Sequence, residues 1–202
     1  IVYVLSGTDA YASQQQINKL IADMGEPTTA GMNITRLDGR NLNMNDLNNA
    51  ANAIPFLSGH RLVILAEPYL AFKGAKELKK LSALIEALPP TTILVLAQVL
   101  DAPANKNKSL NDWLHKLTTE ISKRVKVHSR ELNNPTQAEL PGWIIQETRQ
   151  QAKLLGQHVG METAAASKLA EMVGDNTRVA SQEITKLLEY VNFQRNISVQ
   201  DV

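Results

Sequence analysis

Ala53-Ile54-Pro55-Phe56-Leu57-Ser58-Gly59-His60-Arg61-Leu62-Val63-Ile64-Leu65 carries two different signals end to end. Its second half, Leu62 to Leu65, is an unbroken apolar run behind a Ser-Gly turn and reads as a strand buried on both faces. Its first half, Ile54 to Leu57, is equally apolar, but Pro55 has no N–H to give to a helix or a ladder. Phe56 is one of only three phenylalanines in the chain. Two destinations are open to it: it folds back onto the core, or it stands out as a hydrophobic plug offered to a partner. A strand covered on both faces needs layers above and below, so the neighbouring segments decide the fold.

Those segments alternate. Ile1 to Ser6 reads as a strand, Gly7-Thr8-Asp9 as a turn with Asp9 as helix N-cap, and 10–24 as a helix with Ile17, Leu20, Ile21 and Met24 on one face. Gly25-Glu26-Pro27 closes it. A second strand covers 33–38, a helix 44–52, and the third strand 61–66. An amphipathic helix follows over 74–87, with Leu78, Leu81, Leu84 (or Ile85) and Leu88 on its stripe, stopped by Pro89-Pro90. Ile93 to Leu96 is a fourth strand. Leu110 to Ile121 is a helix with Trp113, Leu114 and Leu117 inward, and 123–128 alternates as an edge strand would. Strands alternating with helices predict a doubly wound, five-stranded parallel α/β sheet with 62–65 and 93–96 central.

The pattern changes after Asn133-Asn134-Pro135-Thr136. Three helices are expected, over about 137–155, 163–173 and 177–191, with Gly156 and Gly174 between them. Their apolar positions are Leu140, Ile144, Thr148 and Ala152; then Ala165, Leu169, Met172 and Val173; then Ala180, Ile184, Leu187, Leu188 and Val191. Short connections predict a compact three-helix unit. The division falls at 1–134 and 135–202. Ser198 with Asp201 resembles a capping box, which announces a further helix beyond Val202.

Composition narrows the function. There is no cysteine, hence no disulfide, thiolate zinc site or Cys nucleophile. No apolar run approaches the roughly 18 residues a membrane span needs, and the opening on a strand does not resemble a signal peptide, so a soluble intracellular protein is expected. Residues 1–135 carry 15 Lys/Arg against 12 Asp/Glu, and residues 136–202 carry 6 against 8. A local basic cluster, Lys106, Lys108, Lys116, Lys123, Arg124, Lys126 and Arg130, reads either as a solvated face or as a contact for DNA.

The chemistry such a sheet usually supports is not legible. A phosphate loop counted from Gly7 would place Gly, Lys and Ser/Thr where Ala12, Ser13 and Gln14 stand, so both the charge and the backbone freedom are missing. After the third strand, Ala66-Glu67 supplies one acid where a pair is expected for magnesium. The four histidines, His60, His115, His128 and His158, lack metal spacing, and no serine sits in a nucleophile elbow. No active site, cofactor or metal is expected.

Six blocks carry a resemblance: Val2-Tyr3-Val4-Leu5-Ser6-Gly7-Thr8-Asp9-Ala10-Tyr11, the 54–65 stretch, and Thr92 to Leu96 leading into Leu100-Asp101 with Lys106 and Lys108 beyond. The others are Gly142-Trp143-Ile144 with Gly156 and Leu169-Ala170-Glu171-Met172-Val173-Gly174-Asp175, then Glu183 to Leu187, and Ile197 to Val202. In this order and spacing the chain resembles the delta subunit family of bacterial DNA polymerase III, non-hydrolysing relatives of the AAA+ ATPases in the clamp loader. Two departures bear on DNA-facing detail: Gly59-His60 where Arg or Lys is usual, and Ala102-Pro103-Ala104 where basic residues are common. The resemblance implies an AAA+-like domain of P-loop NTPase fold without a functional phosphate loop, a helical lid, and a C-terminal helical collar beyond 202. It implies that Ile54, Pro55, Phe56 and Leu57 contact the sliding clamp (beta), with Phe56 as anchor, and favour the open ring. The further partners it implies are the gamma/tau ATPase subunits, delta-prime and primer-template DNA in the replisome of the bacterial cytoplasm. Catalysis would belong to the associated DNA-directed DNA polymerase, a nucleotidyltransferase, and not to this chain. The competing readings are a DNA-binding or scaffold module using the 106–130 region, with Lys106, Lys108 and Lys116 facing DNA, and an AAA+-like ATPase with an atypical site.

Overall fold

In the computed structural model, residues 1–100 and 108–202 are described. They divide into two compact units, Ile1–Asn133 and Asn134–Val202.

The first unit is a parallel sheet of β1 (Val2–Gly7), β2 (Ile34–Asp38), β3 (Arg61–Ala66), β4 (Thr92–Val99) and β5 (Val127–Glu131), in the order β2-β3-β4-β1-β5. The apolar runs expected to be central are central: β3 lies between β2 and β4, and β4 between β3 and β1. Period-two alternation gives the central strands β3 and β4 two buried faces, whereas the edge strands β2 and β5 carry no fully buried side chain. Val63 and Leu65 face one apolar layer with Leu47 of α3 (Met44–Asn52), Leu81 and Ile85 of α5 (Ala75–Glu86), and Trp113 and Leu117 of α6 (Lys108–Ile121). Leu62 and Ile64 face the opposite layer with Ile17 of α1 (Ala10–Ala22). Full burial of each such side chain contributes roughly 1.5–3 kcal/mol, which locks the register of β3 in place.

Two short helices were not expected, α2 (Pro27–Met32) and α4 (Pro68–Phe72). Both begin at a proline, which suits the first position of a helix because its missing N–H is not needed there. At α2 the cap is Glu26, which accepts from the Thr28 and Thr29 N–H groups at 3.0 and 2.8 Å. Those two N–H donors pull its carboxyl down to about 2. The fifth strand also moves. Val127–Glu131 replaces the expected 123–128, because Arg124 N and Val125 N still bond back to Ile121 O and finish the turn after α6.

The second unit packs α7 (Leu140–Leu154), α8 (Thr163–Val173) and α9 (Thr177–Tyr190) around Leu140, Ile144, Leu169, Ile184 and Leu188. Thr136 and Glu139 cap the entry to α7 through 2.9 and 2.7 Å bonds from the Thr136 N–H and hydroxyl. Met172, expected inward, is 66% exposed. Ala165, Ala166, Leu169 and Ala170 already fill the narrow stripe of α8, and the adjacent turn carries Met172 outside it. The reciprocal bond of a capping box is formed by Ser198, whose N–H donates to Asp201 at 2.8 Å, and Asp201 also takes both guanidinium nitrogens of Arg195 at 2.7 Å.

Candidate functional site

Between α3 and β3 the chain turns outward. Ile54 is 89% exposed, Phe56 55% and Leu57 82%, while Pro55 is half-buried. Three apolar side chains in four residues standing in water are unusual for a loop, and the backbone beneath them is held at three points. At the entry, the fully buried Thr92 hydroxyl donates to Ala51 O at 2.7 Å and fixes the last turn of α3. In the middle, Asn33 takes hold of Phe56 by both of its backbone groups. The Phe56 N–H donates to Asn33 Oδ1 at 2.7 Å, and Asn33 Nδ2 donates to Phe56 O at 2.8 Å. At the exit, the Ser58 hydroxyl donates to His60 O at 3.0 Å, two residues before the first fully buried residue of β3.

Asn33 is fully buried and lies between α2 and β2, far from the knuckle in sequence. Its Nδ2 also reaches Thr29 O at 2.9 Å, and its carbonyl accepts from Leu62 N at 2.9 Å. One side-chain amide thus acts as an extra strand segment, pairing with Phe56 as a backbone neighbour would. The tie fixes a strained backbone, since Leu57 lies at φ +47°, in the left-handed region that a branched side chain rarely enters. Asn33 is the residue that sequence reading missed. Its position read only as the start of a strand, and nothing local signals a bond to a residue 23 positions away.

The turn after β1, where a phosphate loop would stand, is closed on the chain's own groups. Gly7 sits at φ +141°, and a Cβ there would lie 1.9 Å from Leu132 O. Leu132 O accepts from Asp9 N at 2.9 Å, Asn133 Oδ1 accepts from Thr8 N at 3.3 Å, and Asp9 Oδ1 accepts from Ala12 N at 2.9 Å. Ser13 N bonds to Asp9 O within the helix, and Ser13 is buried. The amides of Thr8, Asp9, Ala12 and Ser13 are therefore engaged by the chain itself.

Glu67, the acid after β3, is the N-cap residue of α4 at φ +51°. Burial pushes its carboxyl above the usual range, partly offset by the Val99 N–H at 3.4 Å, by Gln98 and by Arg40. Gln98 Nε2 donates to Glu67, and Gln98 Oε1 accepts from Tyr69 N at 3.0 Å. This network couples β4 to α4.

The basic cluster divides. Lys106 lies outside the described residues. Lys108 and Lys116 are on the exposed face of α6. Arg124 pairs with Glu86 of α5, whereas Arg130 reaches Gln16 of α1 at 3.2 Å. Among the described residues, no group of three His, Cys, Asp or Glu side chains could hold a metal ion, and no helix is long and apolar enough to cross a membrane.

A five-stranded parallel sheet in this order, followed by a separate helical unit, defines a doubly wound α/β fold with a helical second domain. The chain belongs to the DNA polymerase III, delta subunit family, whose profile matches residues 3–127. It is 26% identical over 209 residues to DNA polymerase III subunit delta of Bacillus subtilis, covering all of this chain and 55% of that protein. The solved Bacillus subtilis DNA clamp loader delta protein (YqeN) superimposes with a TM-score of 0.71 at 22% identity, over 100% of this chain and 56% of that one. A RuvB variant of Thermotoga maritima shares the fold at a TM-score of 0.53 and 18% identity, over 98% and 58% of the two chains. The chain spans little more than half the length of these relatives.

Proposed function

We propose that this chain is the clamp-gripping part of a delta-type clamp-loader subunit, and that Ile54, Pro55, Phe56 and Leu57 form its contact with the ring-shaped sliding clamp. The observation that carries this reading is the exposed apolar knuckle whose central residue is clasped at both backbone groups by a buried asparagine. An apolar patch that folding leaves in water, yet holds rigid, is suited to a partner's pocket: the ordering entropy is already spent before binding. Phe56 is the anchor, and Ile54 and Leu57 widen the contact. By seating this plug, the subunit favours the open ring for loading onto primed DNA, in a complex with gamma/tau ATPases and delta-prime in the cytoplasm.

The work is mechanical. Self-bonded amides behind Gly7 support a subunit that leaves ATP hydrolysis to its partners and polymerisation to the associated polymerase. Truncating an aromatic anchor typically costs about 2–4 kcal/mol, roughly thirty- to a thousandfold in affinity. Phe56→Ala is therefore expected to abolish capture of the clamp in a pull-down while moving the melting midpoint little, because the ring is more than half exposed. A large fall in melting temperature, or undiminished capture, would overturn the assignment.

A further inference from the structure

The helical unit contains a cleft of about 400 Å³ that the knuckle leaves unused. Arg149 and Lys153 of α7 line it, with His158, Gly160 and Asn196 from the loops beside them, and none of its lining residues is acidic. Arg149 and Lys153 are four apart, so they share one helix face, and like charges at that spacing repel. Among the described residues no carboxylate pairs with Arg149, Lys153 or His158, in contrast to Arg124 with Glu86, Lys186 with Glu183 and Arg195 with Asp201. The acid nearest on α7, Glu147, is turned elsewhere: its carboxylate accepts from Gln151 at 2.9 Å and from the Ser181 hydroxyl of α9 at 3.1 Å.

The floor of the cleft is ordered. Asn196 Oδ1 accepts from Gly160 N at 2.8 Å, and Ile197 N donates to Gly160 O at 2.9 Å. The Arg149 side chain lies across Gly160, its Nε 3.8 Å from where a Cβ would be. A larger side chain at 160 would enter the space beneath the guanidinium. The result is a concave, cation-lined site with a fork of guanidinium donors, an ammonium and an imidazole, and with no internal anion to satisfy them.

We propose that this cleft is a phosphate-binding site of the helical unit, built to take a phosphate group of a nucleic-acid strand or of a free nucleotide. Arg149 supplies bidentate donors to the phosphate oxygens, Lys153 a point charge, and His158 a further donor at the rim. The site is independent of the knuckle and of the degenerate phosphate loop, so it goes beyond the clamp-binding reading and stands or falls apart from it.

The test uses the whole chain and amide NMR shifts during titration with inorganic phosphate, ATP without magnesium, and a single-stranded 12-mer oligonucleotide. Saturable shifts centred on His158 and Gly160 are expected. Arg149→Glu with Lys153→Glu should weaken binding at least tenfold while leaving clamp capture intact. If the oligonucleotide is the stronger ligand, log K against log salt should become shallower by about 1–1.5 in the double variant, since each phosphate neutralised on a single strand contributes about 0.7. A strand is then the physiological source. Equal or tighter ATP binding assigns the site to free nucleotide instead. Absence of shifts at His158 and Gly160 with all three probes, or oligonucleotide binding unaffected by the double variant, overturns the proposal. The shifts on the unsubstituted chain decide the matter even if the variant folds poorly.

Discussion

Two loops of the sheet unit, the one after β1 and the one before β3, have opposite characters. Gly7 to Ser13 is made mostly of polar and small residues, as a ligand-binding loop would be, yet the amides of Thr8, Asp9, Ala12 and Ser13 are taken by Leu132, Asn133 and Asp9. Ile54 to Leu57 is made of core residues, yet its side chains stand in water. The difference lies in what each backbone is tied to. The first is tied to the segment after β5, where Leu132 and Asn133 accept from its amides and Leu132 lies hard against Gly7. The second is tied from beneath by Asn33, which leaves the outer surface free. Rigidity closes one loop and presents the other.

Gly7→Ala should be the most damaging change to the closed loop. A Cβ would strike Leu132 O, and φ +141° is itself hostile to alanine, so a loss of about 3 kcal/mol or more is expected in chemical denaturation. A neutral result would show that the loop can open, and the contrast would fail. Asn33→Ala comes next. Removing a fully buried amide strands both polar groups of Phe56 and the Thr29 carbonyl, at about 2–3 kcal/mol. Clamp affinity should fall at least tenfold in this variant although no contact residue is altered, and calorimetry at a temperature where it is fully folded separates that effect from unfolding. Unchanged affinity would mean the knuckle needs no support.

Glu67→Gln should act more weakly. Burial raises the folded carboxyl above its unfolded value, so the native state binds the proton more tightly and the ionised form costs stability at neutral pH. Glutamine removes that cost and its single carbonyl oxygen can still accept from Gln98, giving up only the long 3.4 Å bond from the Val99 N–H. A small rise in melting temperature is expected at pH 7, shrinking as pH falls through the folded value and the wild-type side chain protonates. A gap that widens in acid would contradict this. Smallest of all, millimolar Mg-ATP should leave the melting temperature of the Arg149→Glu, Lys153→Glu double variant unmoved, because only the loop after β1 is then left to hold it. A ligand at a hundred times its Kd adds about 2.7 kcal/mol, so magnesium-dependent stabilisation abolished by a substitution in the loop after β1 would show that loop to be a working nucleotide site.

Much of this was legible from residue order. The strands of 62–65 and 93–96 declare themselves because burial on both faces demands continuous apolar runs, and the helices of the second unit because one stripe each must face inward. Ala12, Ser13 and Gln14 stand where a phosphate loop would need Gly, Lys and Ser/Thr, and that much is read from residue identity alone. The errors were local. Pro27 can stop or start a helix, and the bonds that Glu26 takes from Thr28 and Thr29 settle which.

The sequence by itself determined the parallel α/β plan, the helical second unit and the lack of a charge-bearing phosphate loop, because these depend on periodicity and residue type. Whether Phe56 was core or surface was left even by its neighbours in the chain. Tertiary structure decided it through Asn33 and Thr92, each distant in sequence and each needing the sheet assembled before it can reach the loop. Sealing of the Gly7 turn is likewise long-range, since Leu132 arrives there only once β5 pairs with β1. Composition limits what a loop can be, and the bonds that hold it from one side or the other decide whether it is closed or offered.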